Sequence, residues 1–397
     1  MTYANGRRIL DCDAHLMEPP GWLESFAPQS IRDALPPMNM GDPGFESIIA
    51  ASVDRRRHRQ DDSDERTTAE RDLMTMERKG WGALGDNDGA ERSRALDLLG
   101  FELQIVFPTG SFPQVAMSPT HIQVEAAEAM NRGMGVFCQA DERLHAVGYV
   151  PFHYGPEVAI RVLHQALRDG CDVVMVDSIP ARDSVAPTHA DFDPLWEAIE
   201  HADVPVMLHI GLDNGWRPIR PSFFNNGRTL DHFRSDAPGD ALSFLSVGFP
   251  AQLFIGSMIL DGVFDRHPNL RFGVAELAAS WVPGFLHFID TSARSFSRLQ
   301  DLSHLHMKPS EYVRKHFCFS PFAGEDVGFM IETAGPELFM FSSDYPHHEG
   351  TADPLGKCER TMAAVTDGDK ELFYVTNTLR LLGLPTTTIA PTAAIEI

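Results

Sequence analysis

The chain has 397 residues, 43% hydrophobic and 22% charged, which is ordinary globular material for one large domain or two modest ones. A formal net charge of -23 argues against a nucleic-acid partner or an anionic membrane, since either needs a basic face. Five scattered cysteines without C-x-x-C spacing exclude an evident disulfide framework or cysteine zinc site and fit a reducing cytoplasm. The N-terminus lacks a basic segment followed by an apolar one, and no apolar run approaching about 18 residues stands out, so neither a signal peptide nor a membrane span is expected.

The first element is a strand over 8–12, running into Asp13-Ala14-His15-Leu16-Met17-Glu18-Pro19. Side chains two apart on a strand share a face, so Asp13 and His15 project together as half of a metal site. A carboxylate and an imidazole suit a divalent first-row ion, but two ligands do not hold one. Taken alone, the pair also reads as a capped strand end.

Residues 20–90 show no sustained period and look like a cap inserted over the rest of the fold. They carry a basic cluster, Arg55-Arg56-Arg57-His58-Arg59, followed by Asp61, Asp62, Asp64 and Glu65. Such a run is commonly a solvated face; the sharper reading is a flap in which Arg55 and Arg57 hold an anionic substrate.

Beyond residue 90, helix-period segments alternate with short aliphatic runs. The strands are expected at Leu103–Phe107, Leu144–Val150, Asp172–Val176, Val204–His209, Leu270–Glu276, His316–Phe319 and Leu338–Ser342. Helices are expected near 91–99, 122–139, 156–168, 191–202, 241–266, 281–298, 325–334 and 356–383. With the first strand this makes eight strand–helix units, which favours an α/β fold of the (β/α)8 TIM-like barrel type over an open sheet. No G-x-G-x-x-G follows the first strand. The reading is one barrel domain over 1–384 with 20–90 as its cap, and a flexible tail over 385–397.

Barrel active sites lie at the C-terminal mouth, so the residues that end strands carry the argument. Strand one ends in Asp13 and His15, strand five in His209, strand six in Glu276, and strand eight in Ser342-Ser343-Asp344. Singly, His209 reads as a core histidine, Glu276 as a helix acid and Asp344 as a cap. Together they are costly to bury unless a cation compensates them.

These residues also carry a resemblance. Asp11 to Pro19, Gly262-Val263-Phe264-Asp265-Arg266-His267-Pro268, Ala275 to Pro283 and Ser343-Asp344-Tyr345-Pro346-His347-His348-Glu349-Gly350 resemble the amidohydrolase superfamily. The similar branch includes aminocarboxymuconate semialdehyde and resorcylate-type decarboxylases. The resemblance implies a distorted (β/α)8 barrel with Asp13, His15, His209 and Asp344 as metal ligands. Many relatives open with H-x-H, whereas Asp13 stands first here, and Glu276 occupies a position that is histidine elsewhere. Glu18, His347 and His348 lie close by.

The expected function is a metal-dependent hydrolase or non-oxidative decarboxylase using Zn or Mn, acting on a small organic acid, ester or amide, with Asp344, His209 and Glu276 as the catalytic set. The carboxylate-rich ligands leave open two Fe and a non-haem diiron monooxygenase hydroxylating a large apolar, terpenoid-like or CoA-ester substrate. A non-catalytic binding barrel is the third reading. Trp216, Phe223, Phe224, Phe244 and Phe249 hint at an apolar ligand, and Arg217, Arg220, Arg228 and His347 at contacts to an anionic one. A homodimer is expected through apolar side chains of the cap and the 210–240 connection.

Overall fold

The computed structural model describes residues 2–38, 44–76, 79–182, 184–216, 219–227, 240–348 and 351–385. Arg217, Arg228 and the tail expected to be flexible beyond 385 lie outside the described residues. Seven strands form one sheet: β1 (Leu10–Leu16), β2 (Leu103–Pro108), β3 (Leu144–Val150), β4 (Cys171–Val176), β5 (Val206–Leu208), β6 (Phe272–Val274) and β7 (Phe317–Phe319). They pair in sequence order, and every pairing is parallel. Nearly all their side chains are buried, because the sheet closes on a packed interior and helices cover its outer face.

The eighth strand expected over Leu338–Ser342 does not form as a regular element. Its segment closes the barrel with isolated bridges, Phe319 to Phe339 on one side and Ala14 to Tyr345 on the other. Four backbone bonds carry the closure: Met340 N–H to the Phe319 carbonyl, Cys12 N–H to Phe341, Asp344 N–H to Asp13 and His15 N–H to Tyr345, at 2.7 to 3.0 Å. The Phe341 N–H instead bonds the Phe373 carbonyl at 3.0 Å, which diverts the segment from a regular ladder. The barrel architecture holds with an irregular eighth stave.

β1 runs longer than its apolar residues suggest, so Asp13 and His15 lie inside it; a register shift between Asp11 and Ala14 accompanies the change. β5 and β6 are shorter than expected, leaving His209 one residue and Glu276 two residues beyond their strands. The helix expected over 241–266 is three pieces, Ala241–Ser246, Phe249–Leu260 and Val263–Arg266, broken the second time where Gly262 takes φ +71°. The expected 356–383 helix is likewise interrupted, with a π turn at Leu372–Thr376. Ala241–Leu260 does contain an 18-residue apolar window, of mean hydropathy 1.6, contrary to expectation; 44% of it is buried in the barrel wall. All five cysteines are buried and unpaired.

The 20–90 stretch is largely helical, at Trp22–Phe26, Gln29–Arg32, Phe45–Asp61 and Ser63–Thr75. Phe45–Asp61 buries only Phe45, Ser52 and Arg59, so no apolar stripe announces it. Polar links hold it instead. Arg59 donates to the Gly82 carbonyl and to Glu91, each at 2.8 Å, and Asp62 caps the next helix through the Asp64 and Glu65 N–H groups. The end of this stretch meets the barrel mouth: Lys79 Nζ donates to the Ser343 carbonyl at 3.2 Å, and the Tyr345 hydroxyl to Leu84 at 2.7 Å. Gly80, at φ +78°, also fits here because a Cβ would lie 2.3 Å from the His348 ring.

Candidate metal centre

Four staves aim polar side chains at one point in the mouth. Asp13 and His15 come from β1, His209 follows β5, Glu276 follows β6, and Asp344 sits in the irregular eighth segment with His347 one turn on. Glu276 and Asp344 each adopt φ +52°, a left-handed conformation uncommon for residues with a Cβ. The chain turns at both positions as it leaves the barrel wall.

The donors converge tightly. Asp13, His15, His209 and Glu276 each offer an atom within 4.8 Å of the others, and so do His15, Glu276, Asp344 and His347. His15 Nε2 lies 3.3 Å from Asp13 Oδ1 and 3.6 Å from both Glu276 Oε1 and Asp344 Oδ1. His209 Nε2 lies 3.3 Å from Glu276 Oε2 and 3.6 Å from Asp13 Oδ1. His347 Nδ1 is 3.1 Å from Asp344 Oδ1. All six side chains are buried.

Packing fixes the rings. His15 stacks on His347 at 3.7 Å between centroids, and Phe107 backs His209 at 4.4 Å. His209 Nδ1 donates to the Ile210 carbonyl at 3.1 Å, which orients the ring so that Nε2 faces the site. The Thr109 hydroxyl bonds His347 Nε2 at 2.8 Å and lies 3.4 Å from His15 Nδ1. Glu18, though near in sequence, does not face the donors: it accepts the Thr109, Gly110 and Ser111 N–H groups and the Ser111 hydroxyl, anchoring the loop that carries Thr109.

A second buried network braces the mouth from below. Asp11 accepts the Ser343 N–H at 2.8 Å, the Ser343 hydroxyl at 2.6 Å and the Gln104 amide at 2.8 Å. Gln104 in turn accepts from Arg92, whose other nitrogen donates to the His15 carbonyl. Glu325 accepts the N–H groups of Ala279, Ser280 and Phe322, pinning the loop after Glu276.

The electrostatics fit a cation. Burial and the nearby His347 ring push the His15 imidazole down, yet the Asp13 and Glu276 carboxylates more than offset this and raise it to about 10. His209 is raised against its burial by Glu276 and Asp13. Burial pushes Glu276 up, but three imidazoles hold it well below the usual carboxylate range; Asp344 is driven well above that range by burial and by Glu276. Asp13 Oδ1, His15 Nε2, His209 Nε2 and both Asp344 oxygens are buried without a hydrogen-bond partner among the described residues. Native interiors seldom leave so many polar atoms unsatisfied at one point, and the mixed carboxylate–imidazole set suits a divalent first-row metal.

The described candidates Arg55, Arg57 and Arg220 are absent from the donor groups. Arg57 is exposed and paired with Asp54 at 3.2 Å, Arg55 is exposed and bonds the Trp81 carbonyl, and Arg220 is exposed. His348 is exposed as well. His347, expected to touch substrate, stands within the second donor group. Beside the donors, a cleft is lined by Ser320–Ala323, Ser342, Ser343, Asp344, Asp13 and Glu276, without a basic side chain among the described residues. Phe244 packs toward it against Phe322 at 5.5 Å. Asp11 was visible within the opening motif, but Thr109 and Glu325 carry no sequence pattern that marks them.

A family model described as amidohydrolase matches residues 10–384. The chain belongs to the amidohydrolase family. It is similar to a 2-amino-3-carboxymuconate-6-semialdehyde decarboxylase from Dictyostelium discoideum, 31% identical over 143 residues, or 35% of this chain. That match spans 38% of the relative's own length. Among solved structures, an amidohydrolase from Mycobacterium avium subsp. paratuberculosis K-10 superposes with a TM-score of 0.71 at 20% identity, covering 95% of this chain and all of that one. The 5-carboxyvanillate decarboxylase of Novosphingobium aromaticivorans, solved with manganese and 4-hydroxy-3-methoxy-5-nitrobenzoic acid, gives 0.61 at 19% identity over 97% of this chain and 100% of that one. These likenesses carry the barrel architecture.

Proposed function

We propose that this amidohydrolase-family chain is a metal-dependent enzyme, a non-oxidative decarboxylase or hydrolase of a small organic acid, ester or amide, with Mn or Zn at the mouth. The observation that carries the reading is the set of buried donor atoms without hydrogen-bond partners on Asp13, His15, His209 and Asp344, gathered around Glu276. Decarboxylation leads, because the similar curated protein is named a decarboxylase and a solved neighbour is a decarboxylase holding manganese with a carboxylated phenol analogue.

A divalent ion there supplies a Lewis acid that polarises a substrate oxygen and offsets its negative charge. Asp13, His15, His209 and Glu276 hold it in one arrangement, with Asp344 and His347 beside it. Among the described residues the cleft has no basic side chain to meet a carboxylate, so recognition of an anionic substrate there would fall to the bound cation and to the Ser320 and Ser342 hydroxyls, 2.6 Å apart. His347 holds the proton that chemistry at the substrate needs: Nδ1 faces Asp344 and Nε2 the Thr109 hydroxyl, so a proton passes between ring and carboxylate without crossing solvent. The 20–90 stretch serves as a cap through Lys79 and Leu84, and the enzyme works in the cytoplasm, where five buried free thiols stay reduced.

A second reading is favoured by one specific feature. The two donor groups share His15 and Glu276, an arrangement that suits two ions and hence a diiron monooxygenase. Elemental analysis of protein purified without chelator separates them: about one Mn or Zn per chain supports the first. About two Fe, with oxygen uptake on adding substrate, replaces it with the second.

A further inference from the structure

Between Val274 and Val282 the chain leaves the barrel wall, presents Glu276 to the other donors and re-enters as a helix. Glu276 and Ala278 both take left-handed conformations on the way, φ +52° and +55°. Residues with a Cβ hold that conformation where their surroundings over-determine it. Here the Ser320 N–H bonds the Val274 carbonyl at 2.8 Å, and the Trp281 indole N–H donates to the Leu277 and Ala278 carbonyls at 2.9 and 3.0 Å. Gly248 closes the space behind: a Cβ there would lie 2.3 Å from the indole nitrogen and 3.0 Å from the Leu277 carbonyl.

The other side of the turn is held by one buried carboxylate, Glu325. Its Oε1 accepts the Ser280 N–H at 2.7 Å and its Oε2 the Phe322 N–H at 2.8 Å, while the Ala279 N–H straddles both oxygens at 3.1 Å. Phe322 belongs to the loop after β7, and Ser320–Ala323 line the cleft together with Glu276. A single side chain therefore fastens the turn bearing a metal donor to the wall of the cleft beside it. Donors arrive from both loops, so the fastener must be an acceptor on both sides, which an ionised carboxylate is and an amide is not. Its charge also stands at the N-terminus of the Val282–Phe296 helix, where a negative group is favoured. The neighbouring Asp326 is committed elsewhere, capping the Val327–Ala334 helix through the Phe329 N–H.

We propose that Glu325 is a positioning residue of the metal centre: by tying the Glu276 turn to the β7 loop it fixes where the Glu276 carboxylate stands and so sets the affinity for the ion. This rests on reading the mouth as a divalent-metal site. Glu276 belongs to both donor groups, so a displaced turn weakens binding in either arrangement. Losing an outer partner of a ligand typically lowers metal affinity by about 10- to 100-fold. Glu325→Gln keeps the size but turns one oxygen into a donor facing Ser280 or Phe322, so one loop is released. Glu325→Asp keeps the charge but is one methylene too short to hold both loops.

Mn²⁺ titration of the full chain, read from the free-ion electron paramagnetic resonance signal, tests this beside circular dichroism and thermal melts of each protein. Both variants are expected to bind Mn²⁺ about tenfold more weakly than the wild type, or weaker still, at temperatures where they are folded. Should Glu325→Gln not fold, Glu325→Asp carries the test. Asp290→Ala is the control for loss of a clamp on the same helix, because Asp290 accepts the Ser310 N–H and hydroxyl, both at 2.8 Å. It is expected to melt at a lower temperature with Mn²⁺ affinity unchanged. Wild-type affinity in either folded Glu325 variant overturns the inference and leaves the metal reading standing. An equal loss of affinity in Asp290→Ala overturns it too, since any loosening of this wall would then suffice. A wild type that binds neither Mn²⁺ nor Zn²⁺ overturns the metal reading and this inference with it.

Discussion

Asp11 grips Ser343 with both carboxylate oxygens, one on the backbone N–H and one on the hydroxyl, and so ties β1 to the segment that bears Asp344. This segment has no regular ladder, and the side-chain clamp does what strand pairing does elsewhere in the barrel. Asp11→Asn replaces one acceptor with a donor facing Ser343 or Gln104. The variant is expected to lose about 2 kcal/mol of stability, because a buried donor is left unsatisfied. It should also bind metal more weakly, since Asp344 and His15 flank the clamp. Thermal melts and a Mn²⁺ titration check both; an unchanged metal affinity would return Asp11 to a purely packing role.

The basic cluster divides into two kinds of arginine. Arg59 is buried against Glu91 and two carbonyls, whereas Arg57 is mostly exposed beside Asp54. Arg59→Ala leaves Glu91 without its partner and is expected to cost about 3 kcal/mol. Arg57→Ala is expected to change stability by no more than about 0.5 kcal/mol. It should leave KM for an anionic substrate unaltered, because neither Arg57 nor its pair reaches the cleft. A raised KM at low salt in the Arg57 variant would restore the flap reading.

Much of this was legible in the chain. The strand runs are continuous aliphatic segments because both faces of a parallel barrel are buried, and titratable residues ending such runs stand out against them. Asp13, His15, His209, Glu276 and Asp344 are visible for that reason. The irregular eighth stave is not, since its path depends on the Phe341 N–H finding Phe373, more than thirty residues away. Nor are the left-handed turns at Glu276 and Asp344, or the polar helix Phe45–Asp61, whose anchor is one arginine and not a stripe. The sequence places His347 close to Asp344 without giving its direction; the turn through Pro346 folds it back against His15.

Metal affinity is expected to depend steeply on pH. In the metal-free chain His15, raised to about 10 by Asp13 and Glu276 against its burial, keeps a proton through neutral pH. A cation must displace that proton, so binding releases it and apparent affinity rises with pH below about 10, by about tenfold per unit for each proton released. His209 is raised in the same direction and adds to the effect. Mn²⁺ titrations at pH 6 and pH 8, read from the free-ion electron paramagnetic resonance signal, test this. Equal affinities at the two values would mean that the imidazoles are already neutral.

His209 and His347 provide the sharpest division between one ion and two, because each belongs to only one of the two donor groups while His15 and Glu276 belong to both. If a single ion sits with Asp13, His15, His209 and Glu276, His209→Ala is expected to abolish bound metal. His347→Ala should then keep about one ion per chain and lose activity by about 10²-fold or more, the scale of a missing proton-transfer group. If two ions are bound, each variant is expected to lose one and retain the other. Both changes remove strand-end donors and not core packing, so both proteins should remain folded by circular dichroism. Metal counts on the two variants beside the wild type therefore distinguish the cases. Full metal content in His209→Ala would remove that residue from the ligand set.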